Sequence, residues 1–123
     1  MSVRVDCGNK EILHVKNIII VSIHENIVEH IENTKLDIPE NVKKLIEYLE
    51  IAALGWGFNI TDYLKNKYEL LVFADLLKKA IEKEQAGPYP YREDVEELLN
   101  NFYNEIVDYA NKVGLSETQS DQK

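Results

Sequence analysis

Cysteine occurs once in these 123 residues, at Cys7, so no disulfide can close within the chain. Glycine and proline are nearly as scarce, five and three, too few for the many tight turns of an all-β meander. Long apolar runs are missing too. The cleanest, Ile18 to Val21 and Leu70 to Ala74, are far too short to cross a bilayer. The opening residues, with Arg4, Asp6 and Lys10, do not form the apolar core of a signal peptide, and cytoplasmic residence is the expectation. Bases are in deficit, 14 against 22 acids, for a net charge of −8 at pH 7. Phosphate backbones are gripped mainly by lysine and arginine, so this balance disfavours nucleic acid. It also disfavours an anionic membrane surface. A basic protein is the electrostatically favoured partner.

What is present is ordinary globular material. The apolar share is 45% and the charged share 29%, values that argue for a folded core and against wholesale disorder. The length suits one domain, with residues 1–115 expected to form a single helical unit and 116–123 a polar, flexible tail. Val3 and Val5 alternate with polar neighbours before Asp6-Cys7-Gly8-Asn9, a plausible turn, so Ser2 to Val15 reads as a hairpin. Ile20, Ile23, Ile27 and Ile31 recur at helical spacing, which predicts a helix over Asn17 to Asn33. The rival is a third strand over Ile18 to Ile23, since β-branched residues favour strands.

Asp37-Ile38-Pro39-Glu40 has the acid-x-x-glutamate form of a helix start. Val42, Leu45, Ile46, Leu49, Ala52 and Ala53 then follow a helical stripe, which Gly55-Trp56-Gly57 breaks. A third helix is expected from Thr61, as N-cap, to Gln85. It carries Tyr63, Leu70, Ala74, Leu77 and Ile81 on one face, while Leu71, Val72, Phe73 and Leu76 project elsewhere. A helix apolar around most of its girth is buried on several sides, which places it centrally. Ala86-Gly87-Pro88 ends it, with glycine as the left-handed cap, and Tyr89-Pro90-Tyr91 is a stiff connector. The last helix carries Val95, Leu98, Leu99, Phe102, Ile106, Tyr109, Ala110 and Val113 on its stripe and is expected to stop at Gly114, with Leu115 folding back. The fold class is therefore mainly α, a bundle of about four helices with a short N-terminal β-hairpin. The alternative is α+β with a small antiparallel sheet.

Candidate chemistry is thin. His24-Glu25 followed by Glu29-His30 resembles a metal-binding spacing, but histidines six apart are rotated by about 240° on a helix. Cys7 has Asp6 beside it, which disfavours a reactive thiolate. Gly55-Trp56-Gly57-Phe58 lacks the lysine and hydroxyl of a phosphate loop. Asn59-Ile60-Thr61 matches a glycosylation sequon with no secretory context. Catalytic residues, metal ligands and cofactors are expected to be absent, and an enzyme built on His14, His24 and His30 is a minor alternative.

The strongest signal is the last helix. Glu93, Asp94, Glu96, Glu97, Glu105 and Asp108 stand against one internal lysine, Lys112, a net of −5 when Arg92 is set aside. All fall outside the apolar stripe. Just ahead, Tyr89 and Tyr91 are stiffened by prolines, while Trp56 either plugs the core or stands as an interface anchor. The expectation is a non-enzymatic inhibitor or immunity-type protein that neutralises a basic partner such as a nuclease toxin. Glu93, Asp94, Glu97, Glu105 and Asp108 would steer and pair, with Tyr89, Tyr91 and Trp56 as anchors. A homo-oligomeric structural or regulatory adaptor, dimerising through the hairpin edge, is the alternative.

Overall fold

The computed structural model describes residues 2–121, and its elements follow the predicted order closely. Strands β1 (Ser2–Cys7) and β2 (Lys10–Lys16) form the antiparallel hairpin, with Ser2 opposite Lys16 and Cys7 opposite Lys10. Gly8 turns between them at φ +64°, a left-handed conformation that suits glycine. Val3, Val5, Cys7, Leu13 and Val15 are buried while Arg4, His14 and Lys16 face outward, the alternation of a sheet covered on one side.

Helix α1 (Asn17–Thr34) settles the ambiguous segment in favour of a helix. Ile20, Ile23 and Ile27 are its buried stripe. A stripe at 3.6-residue spacing buries a continuous face, and that outweighs the strand preference of branched side chains. Helix α2 (Glu40–Ala52) buries Val42, Leu45, Ile46, Leu49 and Ala52. Pro39 takes its N-cap position, with no side-chain cap bond from Asp37.

A two-residue strand, β3 (Phe58–Asn59), then pairs in parallel with β1, aligning Phe58 with Val5. The order is β2-β1-β3, so the sheet is mixed, and the hairpin is not left alone. Asn59 accounts for this. Its side-chain Nδ2 donates to the Gly8 carbonyl at 2.8 Å, and its Oδ1 accepts from Thr61 N at 3.0 Å and Thr61 Oγ1 at 2.7 Å. Thr61 therefore belongs to a 3-10 turn, Ile60–Asp62, and does not cap the third helix.

Helix α3 (Lys67–Ala86) begins later than expected, at the N-cap Asn66. Asn66 Oδ1 accepts from Glu69 N at 2.9 Å, and the Glu69 carboxylate accepts from Lys65 N at 2.7 Å, a reciprocal satisfaction of orphan donors close to a capping box. Tyr63 consequently lies ahead of the helix, beside Tyr48, with ring centroids 5.6 Å apart. Helix α3 packs on α1, α2 and α4, the expected central place. Gly87 is extended, not left-handed, because the following proline excludes the helical region for the residue before it.

Helix α4 (Glu93–Asp121) buries Leu99, Phe102, Ile106 and Ala110, whereas Leu98 is 45% exposed, one residue off the stripe. It does not stop at Gly114. A β-carbon there would lie 2.5 Å from Lys67 Cδ, so the glycine serves close passage of the helix past the start of α3. The helical backbone runs on through Leu115, and residues 116–121 of the expected tail continue it. Gln122 and Lys123 lie outside the described residues.

The chain path puts the starts of α1 and α4 at the same end as the finishes of α2 and α3. Asn17 Nδ2 donates to the Ala53 carbonyl at 3.0 Å, and Gln85 Nε2 donates to Glu96 Oε2 at 2.6 Å.

Candidate functional site

The connector between α3 and α4 is pinned from inside. Tyr91 N donates to Gln85 Oε1 at 2.6 Å, and the Tyr91 hydroxyl bonds Ser22 Oγ on α1 at 2.5 Å. Burial pushes the Tyr91 phenol above its ordinary value of 10.0, the Ser22 bond opposing this in part. Tyr91 is therefore half-buried mortar between helices, not the anchor expected. Tyr89 is the reverse, 85% exposed between two prolines.

The outward face of α4 starts immediately after. At about 100° per residue, Glu93, Glu97 and Asp108 fall within about 60° of one another and opposite the buried stripe. All three are exposed, and none forms an ion pair with another described residue. The other acids are already engaged. Asp94 lies 3.3 Å from Arg92 Nε. Both oxygens of Glu105 accept from Lys10 Nζ, each at 3.0 Å. Glu96 holds Gln85.

Between the two ends the exposed residues are Leu98, Asn100, Asn101 and Asn104, all uncharged. From Glu97 to Asp108 the helix rises about 16 Å, beyond a Debye length of about 8 Å at physiological salt. The acid excess is thus two separate patches, not one continuous field. The group at the start of α4, next to Tyr89, is the stronger.

Trp56 was placed by sequence either in the core or at an interface. It is 63% exposed, on the turn after α2, so it plugs nothing. Gly57 behind it approaches the Arg4 carbonyl so closely that a β-carbon would sit 2.9 Å away. The turn therefore lies against the backbone of β1, with the indole left outside. Ile51 at 51%, Leu54 at 66% and Ile18 at 63% are also exposed at this end. Sequence reasoning passed over these three, although the signal was available. Ile51 and Leu54 are out of phase with the α2 stripe, and Ile18 is out of phase with that of α1.

A cleft of about 400 Å³ opens where the hairpin turn meets α4, lined by Cys7, Lys10, Glu105, Asp108, Tyr109 and Lys112 among others. Two cations face two anions there, so the cleft has no strong field of either sign. The Cys7 thiol at its edge is pushed up to about 11, chiefly by burial, with the Glu105 charge adding to it. A thiol held that high stays protonated at neutral pH. His14 stands on the outer face of β2, 2.9 Å from Ser2 Oγ, while His24 and His30 lie along α1. Among the described residues no three His, Cys, Asp or Glu side chains come together to hold a metal ion, and no helix is long and apolar enough to cross a membrane. Comparison with protein-family models, with curated proteins and with solved structures gives no match.

Proposed function

We propose that this chain is a non-enzymatic acidic binding protein, an inhibitor of immunity type that neutralises a basic partner such as a nuclease toxin. The observation that carries this reading is the corner where Tyr89, exposed and held by two prolines, stands directly before the unpaired outward carboxylates of Glu93 and Glu97. A rigid aromatic loses little conformational freedom when it is covered. Unpaired carboxylates beside it raise the encounter rate with a cation-rich surface by about 10- to 1,000-fold. The Tyr91–Ser22 and Tyr91–Gln85 bonds hold that corner in place before any partner arrives, and such preorganisation reduces the entropic cost of binding. Asp108, about 16 Å along the helix, shares the charge-balanced cleft with Lys10, Glu105 and Lys112 and adds little to the field of that corner.

The test is recovery of the partner from the native host, followed by kinetics. A basic partner is expected, with association slowing steeply as salt rises and dissociation changing little. The double reversal Glu93→Lys with Glu97→Lys should slow association at least tenfold, and Tyr89→Ala should speed dissociation. Recovery of acidic partners only, or indifference of the association rate to both reversals, would overturn the proposal.

A further inference from the structure

The cleft between the hairpin turn and α4 is built before any ligand enters it. Asn59 holds the turn, donating to the Gly8 carbonyl at 2.8 Å and accepting from Gly8 N at 3.3 Å. The Lys10 ammonium reaches across to both oxygens of Glu105, each at 3.0 Å, and this strut fixes the spacing of turn and helix. The Tyr109 ring packs on the turn so closely that a β-carbon at Gly8 would lie 3.1 Å from its Cε2. The volume of about 400 Å³ falls within the about 300–1,000 Å³ of small-molecule sites, which are likewise largely pre-formed.

Its lining is of two kinds. Cys7, Ile12 and Tyr109 supply apolar surface, and the Cys7 thiol, protonated at neutral pH, adds no charge to it. The rim is ionic. Lys10 and Glu105 satisfy each other, which leaves Asp108 and Lys112, both exposed and neither in an ion pair with another described residue. They stand four apart on α4 with β-carbons about 5–6 Å from each other, room for a ligand group bonded to each. The four rim charges sum to zero, and that balance selects the ligand. A phosphate or dicarboxylate would face Glu105 and Asp108, and a polyamine would face Lys10 and Lys112. A net-neutral molecule carrying both signs satisfies the two unmatched groups together. An α-amino acid carries both on a single carbon, leaving its side chain free to cover Ile12 and Tyr109.

We propose that this cleft binds a free α-amino acid with an apolar side chain, its ammonium on the Asp108 carboxylate and its carboxylate on the Lys112 ammonium. Both contacts are to exposed side chains, so the affinity is modest, with Kd on the order of 0.1–1 mM. Tyr89, Glu93 and Glu97 do not line the cleft, so the site stands independently of the corner at the start of α4.

Titration of the isotope-labelled full chain with L-leucine, followed by NMR, tests the site. Saturable shifts are expected at the amides of Cys7, Ile12 and Tyr109. Two related ligands each lack one charge: leucinamide has no carboxylate, and isocaproate has no ammonium. Each should bind about tenfold more weakly than leucine, being one charge-assisted hydrogen bond poorer. Asp108→Asn should erase the advantage of leucine over isocaproate while preserving its advantage over leucinamide. Lys112→Gln should do the reverse. Both side chains are exposed, so neither change disturbs the core. No shifts up to about 10 mM leucine, well above the expected Kd, would overturn the proposal. Equal binding of the three ligands, or variants that weaken all three alike, would overturn it too. None of these results bears on the acidic corner.

Discussion

Glu69 is the only buried charged side chain among the described residues, 8% exposed, and its surroundings explain why it is tolerated. One carboxylate oxygen takes the Lys65 backbone N–H, and the other takes Asn41 Nδ2 at 2.9 Å. Hydrogen bonds to an ionised acceptor are stronger than neutral ones, and these tie the entry of α3 to the first turn of α2. Glu69→Ala leaves both donors without an acceptor, so a loss of about 2–3 kcal/mol is expected by chemical denaturation. The Cys7 thiol gives a pH signature. Its folded value of about 11 lies above the ordinary 9.0, so the unfolded chain releases this proton first as pH rises. Stability therefore holds below about pH 9 and falls between about pH 9 and 11. Cys7→Ala should flatten that decline while lowering stability at neutral pH through the cavity it leaves. Tyr91, also raised by burial, adds a loss of the same sign above its ordinary 10.0.

At the scale of single elements, legibility followed periodicity. The stripes of α1, α2 and α4 announced helices because core-facing residues recur at 3.6-residue spacing. The bounds of α1 come within one residue of expectation. Capping was less legible. Thr61 and Asn66 are equally good caps on paper, and only the bonds of Asn59 to Gly8 and Thr61 make the first a 3-10 turn. Strand β3 could not be foreseen from two residues, Phe58 and Asn59, whose pairing with Val5 and Asp6 is entirely long-range. For the same reason the Lys10–Glu105 pair, 95 positions apart, escaped the charge count that singled out α4. The acids on α4 are visible in the sequence, but their division into two patches depends on which are already neutralised. Removing the post behind the corner tests the element directly. Tyr91→Phe forfeits the Ser22 bond and should cost about 0.5–1.5 kcal/mol by thermal melting, while leaving the helix content of α4 unchanged by circular dichroism.

For the whole molecule, a net charge of −8 makes long-range repulsion a destabilising term. The exposed Lys10–Glu105 and Lys83–Glu29 pairs offset little of it, since surface pairs are worth about 0–1 kcal/mol. Raising ionic strength from about 0.01 M to about 0.15 M shortens the Debye length from about 30 Å to about 8 Å. The thermal midpoint should therefore rise by on the order of a few degrees, read by calorimetry. A fall instead would mean that attractive pairs dominate. The mixed sheet has a consequence during synthesis. Its middle strand is made some fifty residues ahead of one neighbour, β3, and further still ahead of α4, which packs on β2. At roughly 5–20 residues per second on the ribosome, the greasy side of the hairpin (Val3, Val5, Leu13 and Val15) waits several seconds for its covering.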